Sequence, residues 1–145
     1  MGRYFDEFSV GEEILSPGRT ITEADVVNFA GLSGDFNPLH TDEEYAKKTI
    51  FGKRIAHGLL GLAVTSGLRA RTGIFDGTGL AFLDLQLSFK GAIYIGDTLT
   101  VKMSIKEKKE GKKNDRGIII MDVCLVNQNG DVVQQGEHSV MVARR

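Results

Sequence analysis

The sequence predicts an α+β domain in which a curved antiparallel sheet folds about one central apolar helix. Three observations lead there. The segment HGLLGLAVTSGLRAR, residues 57–71, is apolar on nearly every face, which a surface helix would not tolerate, so other parts of the chain must wrap it. Residues 80–90, 98–109, 117–127 and 132–143 read as strands that can do the wrapping. Gly96-Asp97 and Asn129-Gly130 supply turns between them, the second a strong hairpin signal because both residues accept positive φ.

The chain has 145 residues, close to one typical domain, and no linker, repeat or low-complexity stretch divides it, so residues 1–145 are expected to form a single domain. With 41% hydrophobic residues, 26% charged and only 2 Pro, it can bury a proper core. An early strand is expected over residues 14–20, at the sheet edge. Thr22 then caps a helix running to about Leu32, because Asp25 stands three residues on and Ala24, Val26, Val27, Phe29, Ala30 and Leu32 supply an apolar stripe. Thr41-Asp42-Glu43-Glu44 reads as a capping box that opens a second, short helix running to about Lys48. The wrapped helix and the strands follow.

Eighteen Lys plus Arg against 19 Asp plus Glu leave a net charge of −1, so no global field draws a polyanion and nucleic acid is not an expected partner. Residues 106–113 are charge-rich but of mixed sign, carry no aromatic and centre on Gly111, as a solvated hairpin tip would. Cys124 is the single cysteine, which removes an internal disulfide and any cysteine cluster for zinc. The opening MGRYFDEFSVGEE lacks the apolar core of a secretory signal, and the most apolar segment, residues 55–68, is too short for a bilayer. A cytoplasmic protein without a membrane partner is expected. No Gly-x-Ser-x-Gly elbow, Walker-type loop or strand-linked Gly-x-Gly-x-x-Gly is present, so serine hydrolase, nucleotide triphosphatase and dinucleotide-binding readings lose their main support.

The segment from Ser33 to His40 places an acid, an amide and an imidazole between two expected helices. Fully extended, the steps from Asp35 to His40 span about 16 Å at about 3.3 Å per residue, so the two side chains meet only if the loop turns. Asn37-Pro38 is a turn maker: Pro38 fixes its own φ and drives Asn37 out of the α region. Asp35 and His40 would then face one water as an acid–base pair that needs no metal. The same residues also suit a plain structural turn, with His40 merely preceding a helix cap. Gly58 opens the apolar helix, where the first amides lack partners and a substrate carbonyl could approach closely. The alternative is a glycine chosen for tight helix–sheet packing, with His57 a core or cap histidine. Thr65 and Ser66 sit mid-helix, where hydroxyls usually bond back to a carbonyl one turn earlier; Ser66 could instead support the Asp35 carboxylate.

Gly34-Asp35-Phe36-Asn37-Pro38-Leu39-His40, followed by Ile55-Ala56-His57-Gly58, resembles the hydratase-2 signature of the MaoC-like dehydratases, which include the (R)-specific enoyl-CoA hydratases. The resemblance covers nearly the whole chain, taking in Tyr4-Phe5-Asp6-Glu7-Phe8 and Ile95-Gly96-Asp97-Thr98-Leu99. It implies the hot-dog fold, a long antiparallel sheet curled around a central helix, and a homodimer with active sites near the subunit interface. It also implies reversible syn addition of water to trans-2-enoyl thioesters, giving (R)-3-hydroxyacyl thioesters, without metal or redox cofactor; coenzyme A enters only as part of the substrate. Under this resemblance Asp35 and His40 match the catalytic pair, and the Gly58 N–H matches the donor to the thioester oxygen. Asn37 matches a loop-shaping amide, Ser66 a helix serine that supports the carboxylate in some members, and His57 is expected to be structural.

Two other function classes compete. A hot-dog acyl-CoA thioesterase shares the fold and the helix start but attacks from an acidic residue placed differently, and the complete loop from Asp35 to His40 argues for hydration. A noncatalytic acyl-thioester binder is opposed by Asp35, His40 and Gly58 standing together. Coenzyme A and acyl carrier protein both suit the substrate, with Lys53, Arg54 and Lys90 as candidate phosphate contacts.

Overall fold

The structure, a computed structural model, describes residues 1–145. In chain order it contains β1 (Glu13–Leu15), β2 (Arg19–Thr20), α1 (Glu23–Ser33), α2 (Pro38–Thr41), α3 (Glu43–Ala46) and α4 (Gly58–Ala70), then β3 (Gly79–Leu85), β4 (Ser88–Phe89), β5 (Thr98–Glu110), β6 (Arg116–Val126) and β7 (Val132–Ala143). All pairings are antiparallel, in the order β1-β5-β6-β7-β3, with β2 also on β5 and β4 also on β7. In β5, burial of Leu99, Val101, Met103 and Ile105 at every second position is what makes that segment a strand with one face on the core. Leu60, Val64 and Leu68 of α4 join those residues, together with Phe5, Phe8 and the inner residues of β6 and β7, in one hydrophobic cluster. The expected α+β architecture is present, and no helix is long and apolar enough to cross a membrane.

Four expectations are corrected in detail. The strand over residues 14–20 is split into β1 and β2, because Pro17 has no amide for the ladder; Ser16 stands in, its Oγ accepting from the Val101 amide at 2.8 Å. The strand over residues 80–90 breaks between β3 and β4, where the Gln86 carbonyl turns in over Gly136 of β7 while its amide donates to the Glu137 carbonyl at 2.9 Å. The turn at Asn129-Gly130 has positive φ only at Gly130; Asn127 Oδ1 holds the loop by accepting from the Asn129 and Asp131 amides. Finally, α4 is not wrapped on every side: Leu59 is 60% exposed, and Ala63, Ser66 and Gly67 also face outward.

Residues 5–7 lie against β6 and the segment that follows β7. Arg144 Nε donates to Asp6 at 2.8 Å, Arg145 lies 3.5 Å from Glu7, and Gly117 of β6 lies flat under the Phe5 ring.

Candidate active site

α1 keeps the expected Thr22–Asp25 capping box and ends at Ser33, where Gly34 turns left-handed at φ 75°. Beyond it the chain folds on its own side chains. Ser33 Oγ accepts from the Asp35 amide at 3.1 Å, Asp35 Oδ1 from the Asn37 amide at 3.1 Å, and Asn37 Oδ1 from the Leu39 amide at 3.0 Å. Such local bonds are the ones Ser, Asp and Asn make in place of continuing a helix. Asn37 caps α2 with Pro38 in its first turn, so His40 sits on a helical turn rather than in open loop. This displaces the expected cap at Thr41. Its hydroxyl donates to the Phe36 and Asn37 carbonyls, and Asp42 caps α3 by accepting from the Tyr45 amide.

His40 Nδ1 lies 2.7 Å from the Ile55 carbonyl. A carbonyl only accepts, so Nδ1 carries a proton, and in the neutral imidazole it is Nε2 that keeps the lone pair. By the same reasoning His57 donates from Nε2 to the Asp35 carbonyl at 2.8 Å, leaving its buried Nδ1 without a partner. The two imidazoles stack with centroids 3.9 Å apart and planes 28° from parallel, and the Phe29 ring packs on His57 at 4.9 Å. The Asp35 carboxylate and a nitrogen of each ring lie within 4.8 Å of one another. Two hydrogen bonds of about 2.8 Å meeting at a tetrahedral oxygen span about 4.6 Å, a separation inside that bound.

His57 is the N-cap of α4, and the first bonds inside the helix run from the Leu60 and Gly61 amides to the His57 carbonyl. The Gly58 and Leu59 amides therefore have no acceptor within the helix. Phe89 packs so near that an ideal Cβ on Gly58 would lie 2.5 Å from its ring. Close packing and an amide without an acceptor in the helix thus occur together at Gly58. Gln134 on β7, a residue that sequence reasoning missed, donates from Nε2 to the Gly58 carbonyl at 2.7 Å. Gly61 makes room for it, an ideal Cβ there lying 2.3 Å from Nε2. The available signal was period two: Gln134, Gly136, His138, Val140 and Val142 share the buried face of the strand.

Asp35, His40, His57, Gly58 and Gln134 line a cavity of about 750 Å³ with Phe29, Phe51, Leu59, Phe89 and Ile93 as apolar walls, a size suited to a small-molecule site. Lys90 is its only lining cation. Arg54 is bound to Glu23 and Glu43, which hold its pKa above the usual arginine value, and Lys53 lies over the Tyr94 ring at 4.6 Å.

Ser66 is elsewhere. It lies eight residues beyond Gly58, about 12 Å along a helix axis, and lines a second cavity of about 290 Å³ with Arg69, Phe75, Asp76 and Phe82. The expected support of Asp35 by Ser66 is therefore not formed within one chain. Its neighbour Thr65 bonds back to the Gly61 carbonyl at 2.9 Å, as expected.

Beside that cavity, His138 is buried against Phe82, with Arg69 Nη1 3.4 Å from its Nδ1. Burial first, and then the Arg69 charge, push its pKa down from 6.5 to about 4. Between those values the unfolded chain binds a proton that the folded chain refuses. Stability should therefore fall as pH drops from 6.5 toward 4, by up to about 3 kcal/mol. Urea unfolding across that interval should show a shallower acid loss for His138→Gln than for the parent; equal slopes would remove His138 as the cause.

The sequence profile described as the MaoC like domain matches residues 7–123. The chain is 37% identical over 142 residues to a Rhodospirillum rubrum protein named (R)-specific enoyl-CoA hydratase, covering 98% of this chain and 93% of that one. A crystal structure of a MaoC-like dehydratase from Rhodospirillum rubrum superposes with a TM-score of 0.89 at 29% identity, covering 99% of both chains. A Mycobacterium tuberculosis protein with a double hotdog fold superposes at 0.84 over 99% of this chain and 45% of that one, at 18% identity, a likeness of fold.

Proposed function

The chain belongs to the MaoC-like dehydratase family of hydro-lyases and has its hot-dog fold, and from that premise we propose that it adds water to trans-2-enoyl thioesters, giving (R)-3-hydroxyacyl thioesters. The observation that carries this reading is the gathering of Asp35 and His40, with polar atoms within 4.8 Å of each other, beside the open Gly58 amide in an apolar cavity. The water is held between the Asp35 carboxylate and His40 Nε2, which together accept one of its protons as its oxygen bonds to C3. The thioester oxygen, lying at the Gly58 N–H and the positive end of α4, takes up the enolate charge. Return of the proton to C2 from the same side makes the addition syn and leaves both residues as they began. Asn37 serves the pair by shaping the loop.

No redox or metal step enters this scheme, and coenzyme A or acyl carrier protein is present only as the carrier in the substrate. Lys90, at the cavity wall, suits a carrier phosphate better than Arg54, whose charge is already matched by two carboxylates. A second copy of the chain is the partner proposed for the open side of the molecule, where every residue of edge strand β3 is exposed next to the bare face of α4.

The test follows crotonyl-CoA by ultraviolet absorbance alongside a free-thiol assay. Loss of conjugation without thiol release is expected, with the product oxidised by a dehydrogenase specific for (R)-3-hydroxyacyl-CoA. Thiol release would make the protein a thioesterase, and a product of the opposite hand would overturn the stereochemical reading.

A further inference from the structure

We infer that His57 is a positioning residue: one buried imidazole fixes Asp35 through its backbone and His40 through its ring. The inference rests on the hydratase reading for what is being positioned, and it gives a part to a residue outside the proposed catalytic pair.

The donor bond from His57 Nε2 to the Asp35 carbonyl ties the loop to the start of α4 across 22 residues of chain. The other side-chain bonds shaping the loop at Asp35 and Asn37 are local, so they set its curvature but do not place it against the helix. His40 is constrained in two directions. Its bond to the Ile55 carbonyl holds the ring in its own plane, and the His57 face at 3.9 Å blocks its swing out of that plane. Because His57 immediately precedes Gly58, both restraints are referred to the residue beside the proposed oxyanion donor.

The unpartnered Nδ1 strengthens the case. Burying a ring nitrogen without a hydrogen bond destabilises the fold, and a phenyl ring would fill the same place without that loss. His57 makes no side-chain cap bond to α4 either. What the imidazole supplies and phenyl cannot is the Nε2–H.

The experiment compares two variants. His57→Phe keeps an aromatic ring for stacking but loses the donor, and should lower kcat for crotonyl-CoA hydration about a hundredfold with KM changed less than about threefold, the scale expected for reacting groups displaced by about 1 Å. His57→Gln places an amide nitrogen near the lost Nε2 and should recover at least about tenfold of that kcat. Equal loss in both variants, or a Phe variant within about threefold of the parent, would overturn the inference. A second arm needs no turnover. Long-range proton–nitrogen spectra of the wild-type protein should show His57 in its Nε2–H form and His40 in its Nδ1–H form; the opposite form for His57 overturns the inference whatever the substrate is. Wild-type silence toward enoyl thioesters, with both tautomers as expected, would remove the hydratase reading and leave the positioning geometry standing.

Discussion

Asp35→Asn and His40→Gln should each lower hydration turnover by at least about a hundredfold, the scale of a lost acid–base group. Asparagine keeps an oxygen where Asp35 accepts from the Asn37 amide, so the loop should hold its shape while losing the carboxylate charge. Glutamine at position 40 removes the lone pair of Nε2. Because both residues are proposed to act on one water, the double variant should be little worse than the poorer single variant. Steady-state kinetics on all three, with folding checked by circular dichroism, decides the matter. Multiplying losses would mean that the residues act in separate steps, and near-parental turnover in both single variants would remove the site assignment.

Gly136→Ala should cost the fold at least about 3 kcal/mol. An ideal Cβ there would lie 1.6 Å from the Gln86 carbonyl oxygen and 2.6 Å from its carbon, and both are backbone atoms that no rotamer change can move aside. The only relief is to separate β4 from β7, which would also shift Phe89 away from Gly58 and Lys90 from the cavity. Urea unfolding measures the loss directly. Gly91→Ala is the matched control, because its nearest foreign atom would be an ordinary 3.7 Å away, and it should stay within about 1 kcal/mol of the parent. Equal midpoints for the two variants would show that the seating of the Gln86 carbonyl over Gly136 is looser than the structure has it.

The legible parts of the molecule are those governed by local chemistry. Thr22 and Asp25 form their capping box because the two side chains need only three residues of spacing, and Asn37-Pro38 turns the chain because both residues are restricted wherever they occur. The apolar run from residue 57 marked α4 for the same reason. What escaped depends on contacts between distant segments. Gln134 is an ordinary strand residue until β7 places it under Gly58, 76 positions away. The break between β3 and β4 follows from the seating of the Gln86 carbonyl over Gly136 of β7, which no pattern within residues 80–90 contains. Ser66 was legible as a helix residue but not as one facing away from Asp35, since that depends on the register of α4 against the sheet.

The meeting of Asp6 with Arg144, and of Glu7 with Arg145, bears on how the chain could be rewired. A short linker could join the two ends, and a new opening could be cut in the exposed turn at residues 111–115, between β5 and β6. Such a circular permutant would keep the loop from Ser33 to His40, the start of α4 and all of β7 in one uninterrupted stretch. The order in which strands emerge during synthesis can therefore be changed without cutting anything that touches the cavity.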